Sequence, residues 1–339
     1  MFFSDEINLN NPREVQEIKE FLGKFDVVWD NPDKTYVIRD KGKIISTGSV
    51  SGNILKYFFS EEEYKGQGTM TIIYNSLLNY LVEKNIGSYF VFTTPSNKKI
   101  FESLGLNEVH STDKVTLFEG GFYSYNKWID KVKSYIGPKK GRRGAIIVNC
   151  NPMTLGHKYL MEKALDEVDE LLIFVVEEDK SVFPFKDRFG ILQKELSSYD
   201  RIKLLEGGPY IISQATFPTY FIKKKDEMLE TYTNLDGSIF ADKIAKDLEI
   251  DIRFFGSEPT DLVTLAYNKS MDRILKSRGI DVKILERKSL DDTIISASSV
   301  RKLIKEDRLE EAFKYLPSST IEYLKSDRGR EVIEKIKEL

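Results

Sequence analysis

The stretch Gly144-Ala-Ile-Ile-Val-Asn-Cys-Asn-Pro-Met-Thr-Leu-Gly-His157 decides the fold. Its first half is apolar and partly β-branched, as in a strand buried within a parallel sheet. Asn151 and Pro152 stop that strand. Gly156-His157 then opens a helix with Leu160, Ala164 and Val168 four apart on one face. A second apolar run, Leu171 to Val176, follows. Strand, turn, helix, strand is a βαβ unit. Its turn sets Gly156 and His157 at a helix N-terminus, where backbone N–H groups and the helix dipole favour an anion. The stretch therefore predicts a nucleotide-phosphate site.

The alternation continues downstream. A helix runs to about Ser197, with strands at Arg201–Leu205, Asp251–Phe255 and Asp281–Leu285. A further helix spans Asp261–Lys276, and Ile294 to Arg301 opens another. This order predicts a doubly wound, Rossmann-like parallel sheet. Upstream the pattern differs. A helix over 13–24 precedes short strands at Val27–Trp29, Thr35–Ile38, Lys43–Thr47 and Asn53–Phe59. The polar loop Ser60–Thr69 leads into a helix over Met70–Glu83. Strand Ser88–Thr93, a short helix over Ser96–Ser103 and strand Lys114–Phe118 follow. The glycines, proline and basic residues of Ile136–Gly144 read as a solvated linker. The expected domains are residues 1–138, α+β, and 144–339, α/β.

At 339 residues the chain suits two domains. The net charge of −3 gives no field for nucleic acid. A single cysteine, Cys150, excludes an internal disulfide and a Cys-rich zinc site, and it reads as a small buried hydrophobe. Only His110 and His157 could supply imidazole, so no metal-ligating residue is assigned. No apolar run is long enough to span a bilayer, and the acidic N-terminus is unlike a signal peptide. The expected compartment is the cytoplasm, with no membrane partner.

Thr154-Leu-Gly156-His157 resembles the (H/T)-x-G-H signature of the nucleotidylyltransferase superfamily. Ile295-Ser-Ala-Ser-Ser-Val-Arg301 resembles its second signature, I-S-x-[S/T]-x-x-R. Each sits at a strand-to-helix junction, and the pair is far more specific than either alone. Attack of an oxygen nucleophile on the α-phosphorus of ATP needs positioning and charge stabilisation. Gly156 lets backbone approach the triphosphate. His157 can donate to an α-phosphate oxygen as charge builds there. Thr154 supplies a hydroxyl where the fuller motif has histidine. Ser296, Ser298 and Arg301 suit the β- and γ-phosphates. Asn151 and Gly256, at strand ends, complete the nucleotide-binding candidates. Lys180 matches a lysine that several members set against substrate phosphates. Mg²⁺ is expected with the triphosphate.

The N-terminal order of elements resembles the GNAT acyltransferase fold, through Lys65-Gly-Gln-Gly-Thr-Met70 and Thr94-Pro-Ser-Asn97-Lys-Lys-Ile-Phe101-Glu-Ser-Leu-Gly105. That resemblance implies that Lys65, Gly66, Gly68 and Asn97 receive a pantetheine-like arm. The two domains together resemble the citrate lyase ligase family over nearly the whole chain. Ala215-Thr-Phe-Pro-Thr-Tyr-Phe221 and Gly256-Ser-Glu-Pro259 add to the likeness. The resemblance implies that acetate attacks ATP to give acetyl-adenylate. The thiol of the CoA-like prosthetic group on the lyase's acyl carrier subunit then takes the acetyl group, releasing AMP. Phe217, Tyr220 and Phe221 are candidates for the acetate pocket or for core packing. Two other readings stand beside this one: an adenylyltransferase acting on a pantetheine phosphate or a mononucleotide, and a noncatalytic carrier-binding module.

Overall fold

The computed structural model describes residues 2–27, 29–177, 181–212, 217–218, 225–257, 262–286, 289–290 and 293–339. Two compact units emerge: Met1–Trp128 with Pro218–Leu235, and Ile129–Phe217 with Asp236–Leu339.

The first unit contains β1 (Ser4–Glu6), α1 (Pro12–Gly23), β2 (Lys34–Asp40), β3 (Lys43–Ser51), β4 (Ile54–Ser60), α2 (Thr69–Glu83), β5 (Ser88–Thr93), α3 (Lys98–Ser103), β6 (Asn107–Ser111) and β7 (Thr116–Gly121). The sheet order is β1-β2-β3-β4-β5-β7-β6. Pairing is antiparallel except between β4 and β5, which run parallel at Ile54–Phe90 and Leu55–Val91. The α2 residues Ile73, Leu77 and Leu81 pack with Ile45, Val50 and Val91. The α1 residues Ile18, Phe21 and Leu22 pack with Val37, Ile44 and Tyr57. This is the GNAT-like α+β arrangement expected from the element order. Three details differ. No strand forms at Val27 or Trp29; Val27 is buried and Trp29 stacks on Tyr57 with centroids 5.5 Å apart. Strands β1 and β6 are additional and form the two sheet edges.

Helix α4 (Tyr125–Ile136) leads to the second unit. There lie β8 (Arg143–Val148), α5 (Leu155–Leu165), β9 (Glu170–Val175), α6 (Phe185–Glu195), β10 (Ile202–Glu206), the last residues of α7 (Lys225–Ile239, which belongs to the first unit as far as Leu235), β11 (Ile252–Gly256), α8 (Leu262–Lys276) and β12 (Asp281–Leu285). The short hairpin β13 (Ser289–Leu290) and β14 (Thr293–Ile294) precedes α9 (Ala297–Lys305), α10 (Leu309–Phe313), α11 (Ser318–Lys325) and α12 (Asp327–Glu338). The main sheet is wholly parallel, in the order β10-β9-β8-β11-β12. The connection direction reverses between β8 and β11, which makes their carboxyl ends the crevice of a doubly wound sheet. Ile146, Val148, Met161, Ala164, Ile173 and Leu192 fill the core on the α5 side. Helix α5 ends at Leu165; Val168 lies beyond it but is still buried in that core.

The basic run before β8 is solvated only in part, because three of its cations are paired. Lys139 pairs with Asp251 at 2.7 Å and Arg142 with Asp281 at 2.5 Å. Arg143 is buried, pairing with Glu170 at 2.5 Å and donating to the Leu248 carbonyl at 2.6 Å. A buried charge persists only when paired in this way. Among the described residues no helix is long and apolar enough to cross a membrane.

Candidate active site

Strand β8 runs into Asn149, Cys150 and a cis Asn151–Pro152 peptide, and Thr154 then caps α5. The cap is reciprocal. The His157 N–H donates to Thr154 Oγ1 at 3.4 Å, and the Thr154 N–H donates to His157 Nδ1 at 3.1 Å. This is a capping box with imidazole in the place of a carboxylate. A backbone N–H can only donate, so Nδ1 must be the acceptor. The neutral ring therefore carries its hydrogen on Nε2. The Leu155 N–H donates to the Tyr315 carbonyl and the Lys158 N–H to the Thr154 carbonyl. Among the described residues, the Gly156 N–H is the remaining first-turn donor.

Gly156 plays a part that motif reading did not anticipate. A Cβ built on it would lie 2.9 Å from the Ile295 carbonyl oxygen and 3.4 Å from Thr154 Oγ1. The close approach is thus to the second signature, whatever a triphosphate does on the other side. Ser296 caps α9, its Oγ accepting from the Ser299 N–H at 3.0 Å and lying 3.0 Å from Ser298 Oγ. Ser298 is exposed. Arg301 is half-buried and donates through Nη1 to the Asn151 carbonyl. Burial pushes its pKa down, yet a guanidinium remains charged. The Asn151 side chain accepts from the Phe183 N–H at 3.0 Å, so both acceptors of this residue position the loop.

More fasteners come from neighbouring helices. The Thr320 hydroxyl donates to the Met153 carbonyl at 3.0 Å. Arg188 is fully buried and donates to the carbonyls of Phe183 at 3.0 Å and Asn149 at 2.7 Å. Asp187 accepts from the Tyr323 hydroxyl at 2.9 Å and pairs with Arg328. Asp187 and Arg188 thus tie α6 to other elements, and Pro184 holds its cap position without a side-chain bond. Burial pushes the Cys150 thiol up to about 12, against a smaller opposing pull from Arg188. The thiol stays protonated and acts as a packed apolar group.

These pieces line one cavity of about 920 Å³. Asn151, Thr154, Gly156, His157, Ser296, Ser298, Arg301 and Gly256 all border it. Gly256 needs no special backbone freedom, its nearest neighbour being Leu160 at 3.8 Å; its carbonyl accepts from Asn268 Nδ2 at 3.1 Å. Lys180, Tyr220 and Phe221 lie outside the described residues. Phe217 is buried and does not line the cavity. Arg253, Tyr267 and Asn268 do line it, and none was legible as a site residue. They sit in mid-strand and mid-helix, with no turn or glycine to mark them. No cluster of three or more His, Cys, Asp or Glu that could hold a metal occurs among the described residues.

In the first unit, Gly66 and Gly68 adopt φ of +77° and +79° ahead of α2. No atom lies within 4 Å of where a Cβ would stand on either. Lys65 pairs with Glu62 at 2.5 Å, and Asn97 Nδ2 donates to Thr93 Oγ1 at 3.0 Å.

A family model described as the citrate lyase ligase C-terminal domain matches residues 143–324. A protein of Escherichia coli (strain K12) named [Citrate [pro-3S]-lyase] ligase is 32% identical over 322 residues, 93% of this chain and 91% of its own. The chain belongs to the citrate lyase ligase family. A protein of the same name from Klebsiella pneumoniae is 32% identical over 83% of this chain and 84% of its own. Among solved structures, a GNAT-family acetyltransferase from Staphylococcus aureus MU50 aligns over 36% of this chain and 100% of its own. It is 15% identical, with a TM-score of 0.30.

Proposed function

We propose that this chain is a cytosolic acid–thiol ligase that activates citrate lyase. In this reading it acetylates the thiol of the CoA-like prosthetic group on the lyase's acyl carrier subunit. The observation that carries the chemistry is the meeting of the two signatures. Gly156 abuts Ile295, and Arg301 holds the Asn151 carbonyl, so both helix starts open on one cavity. Family membership supplies the acceptor.

Acetate attacks the α-phosphorus of ATP. A carboxylate O–P bond forms, the bond to the bridging oxygen of pyrophosphate breaks, and acetyl-adenylate remains. The Nε2–H of His157 and the Gly156 N–H donate to the α-phosphate oxygens as charge gathers there. Thr154 fixes the imidazole tautomer. The first turn of α9 with Ser296, Ser298 and the rest of the Arg301 guanidinium hold the departing pyrophosphate. Lys180 adds a cation toward the substrate phosphates in this proposal. Mg²⁺ would accompany the triphosphate and screen its charge. The carrier thiol then attacks the acyl carbon; a C–S bond forms, AMP leaves, and the thiol proton passes to solvent. The open turn at Lys65, Gly66 and Gly68, with Asn97, receives the pantetheine-like arm, and residues 1–138 and 144–339 divide the two tasks.

The test has two parts. Acetate-dependent ATP–pyrophosphate exchange reports the first step. The mass of the deacetylated carrier subunit after incubation with the chain, ATP, Mg²⁺ and acetate reports the second. One added acetyl group that requires all of these is expected. Exchange supported by a pantetheine phosphate and not by acetate would overturn the substrate assignment.

A further inference from the structure

The cavity has a second polar corner that the reaction above does not use. Arg253, on β11, is only 2% exposed. Its guanidinium carbon lies 4.3 Å from the Phe240 ring centroid and 4.8 Å from that of Phe255. Phe240 begins a π-helical segment, Phe240–Ala245, that continues α7. Such irregular turns cluster at functional sites.

The polar partners of this buried cation are few. Nη2 donates to the Tyr267 hydroxyl at 3.4 Å and Nη1 lies 4.0 Å from Met271 Sδ. Nε has no hydrogen-bond partner among the described residues. The Tyr267 hydroxyl donates in turn to Asp236 Oδ2 at 2.6 Å. The nearest carboxylate in this chain of contacts is therefore reached through a phenol and leaves the guanidinium under-bonded. A guanidinium so buried ordinarily meets a carboxylate directly, because desolvation is offset only by good pairing. Arg253, Tyr267 and Asn268 border the same cavity as His157, and Ile147 and Phe255 add apolar wall beside them.

We propose that this corner binds the carboxylate of the short-chain organic acid to be adenylated, with Arg253 as its principal donor and Tyr267 as the positioning residue. The planar fork of a guanidinium matches two carboxylate oxygens, and the apolar wall suits a methyl group. The assignment rests on the adenylation reading for its substrate class. It concerns a subsite that neither signature contains.

The experiment uses the full chain and two readouts. The first is ATP–pyrophosphate exchange titrated with acetate in Arg253→Gln, Arg253→Lys and Tyr267→Phe. Arg253→Gln is expected to raise the acetate KM roughly 10- to 100-fold, the range for losing a charge-assisted hydrogen bond. The ATP KM should stay within about threefold of the parent. Arg253→Lys should recover part of the loss, and Tyr267→Phe should raise the acetate KM without lowering ATP affinity. The second readout is saturation-transfer NMR of the acetate methyl, which needs no turnover. The parent should give a signal that Arg253→Gln abolishes. If Arg253→Gln does not fold by circular dichroism, the Lys and Phe variants decide on the same criteria. An unchanged acetate KM, or an ATP KM that rises in step with it, overturns the proposal. If the parent shows no exchange yet binds acetate through Arg253, the adenylation reading fails and the carboxylate site stands. If it shows neither exchange nor acetate binding, both fail.

Discussion

The turns before α2 and before α5 each place a glycine at a helix start, and they are built on opposite principles. Before α2, Gly68 holds the N-cap position at positive φ with no side-chain cap, and no atom fills the space beside it. Before α5, Thr154 and His157 cap each other, and Gly156 is pressed against the backbone of a distant segment. The first glycine is required by the path of its own chain. The second is required by a neighbour. A turn of the first kind makes an open surface; a turn of the second kind makes a fixed site whose donors are aimed before a ligand arrives.

Several substitutions probe that contrast. The largest effect is expected at His157→Ala. Loss of one preorganised donor should lower the acetate-dependent exchange rate by about 10²–10³, or ~2.7–4 kcal/mol. The melting temperature should report no more than the loss of a helix cap, about 1 kcal/mol. A rate unchanged by this variant would end the catalytic assignment. Next is Gly156→Ala, which sets a methyl 2.9 Å from the Ile295 oxygen. It should cost about 1–3 kcal/mol in denaturant unfolding, as overpacking does, and slow exchange as well. Gly68→Ala should cost about 1–2 kcal/mol through its left-handed φ alone, and exchange should be untouched. Equal exchange rates in the two glycine variants would erase the distinction between the turns.

A further difference lies beneath the second turn. The Cys150 thiol has its pKa raised from the ordinary 9.0 to about 12 by burial. The folded state thus keeps a proton that the unfolded chain loses. This stabilising contribution is full below pH 9.0 and is lost progressively as the pH rises towards about 12. Chemical unfolding followed by pH should show stability falling across that window, and Cys150→Ala should flatten the fall. Iodoacetamide should label the thiol in denaturant and spare it in the native chain at pH 8. The smallest effect is expected at Lys65→Ala. Its pair with Glu62 is solvent-exposed, so stability should move by less than about 0.5 kcal/mol. A severalfold rise in the KM for the carrier subunit, without change in exchange, would support arm docking at that turn.

Much of this organisation is legible in the sequence because turn chemistry and apolar runs are local properties. The strands from Ala145 to Val148 and Leu171 to Val175, and the helix starts at Gly156-His157 and after Ile294, announce themselves that way. What escapes is decided by contact at a distance. Ser4-Asp-Glu6 becomes a strand only because β2 offers a free edge. Arg143 reads as a linker charge until Glu170 is placed beside it. Helix α7 and its π-helical continuation are hidden by the glycine, threonines and aspartates among their residues. The Arg253 corner needs residues from a strand and two helices, so no spacing rule could assemble it. Within the motifs too, a residue's contacts go beyond what its type announces. Asn151 and one arm of Arg301 serve to hold the loop.

The contact between Gly156 and Ile295 has a consequence for how such a chain can change over time. The two signatures behave as one part that happens to be made from two pieces of chain, and only the loops between the intervening strands and helices are free to lengthen or shorten. Neither piece can move without the other, so a shift in the entry angle of α9 must be answered at α5. Divergence among relatives should therefore gather in the intervening segments, while this joint sets the tolerance to which both helices are fitted.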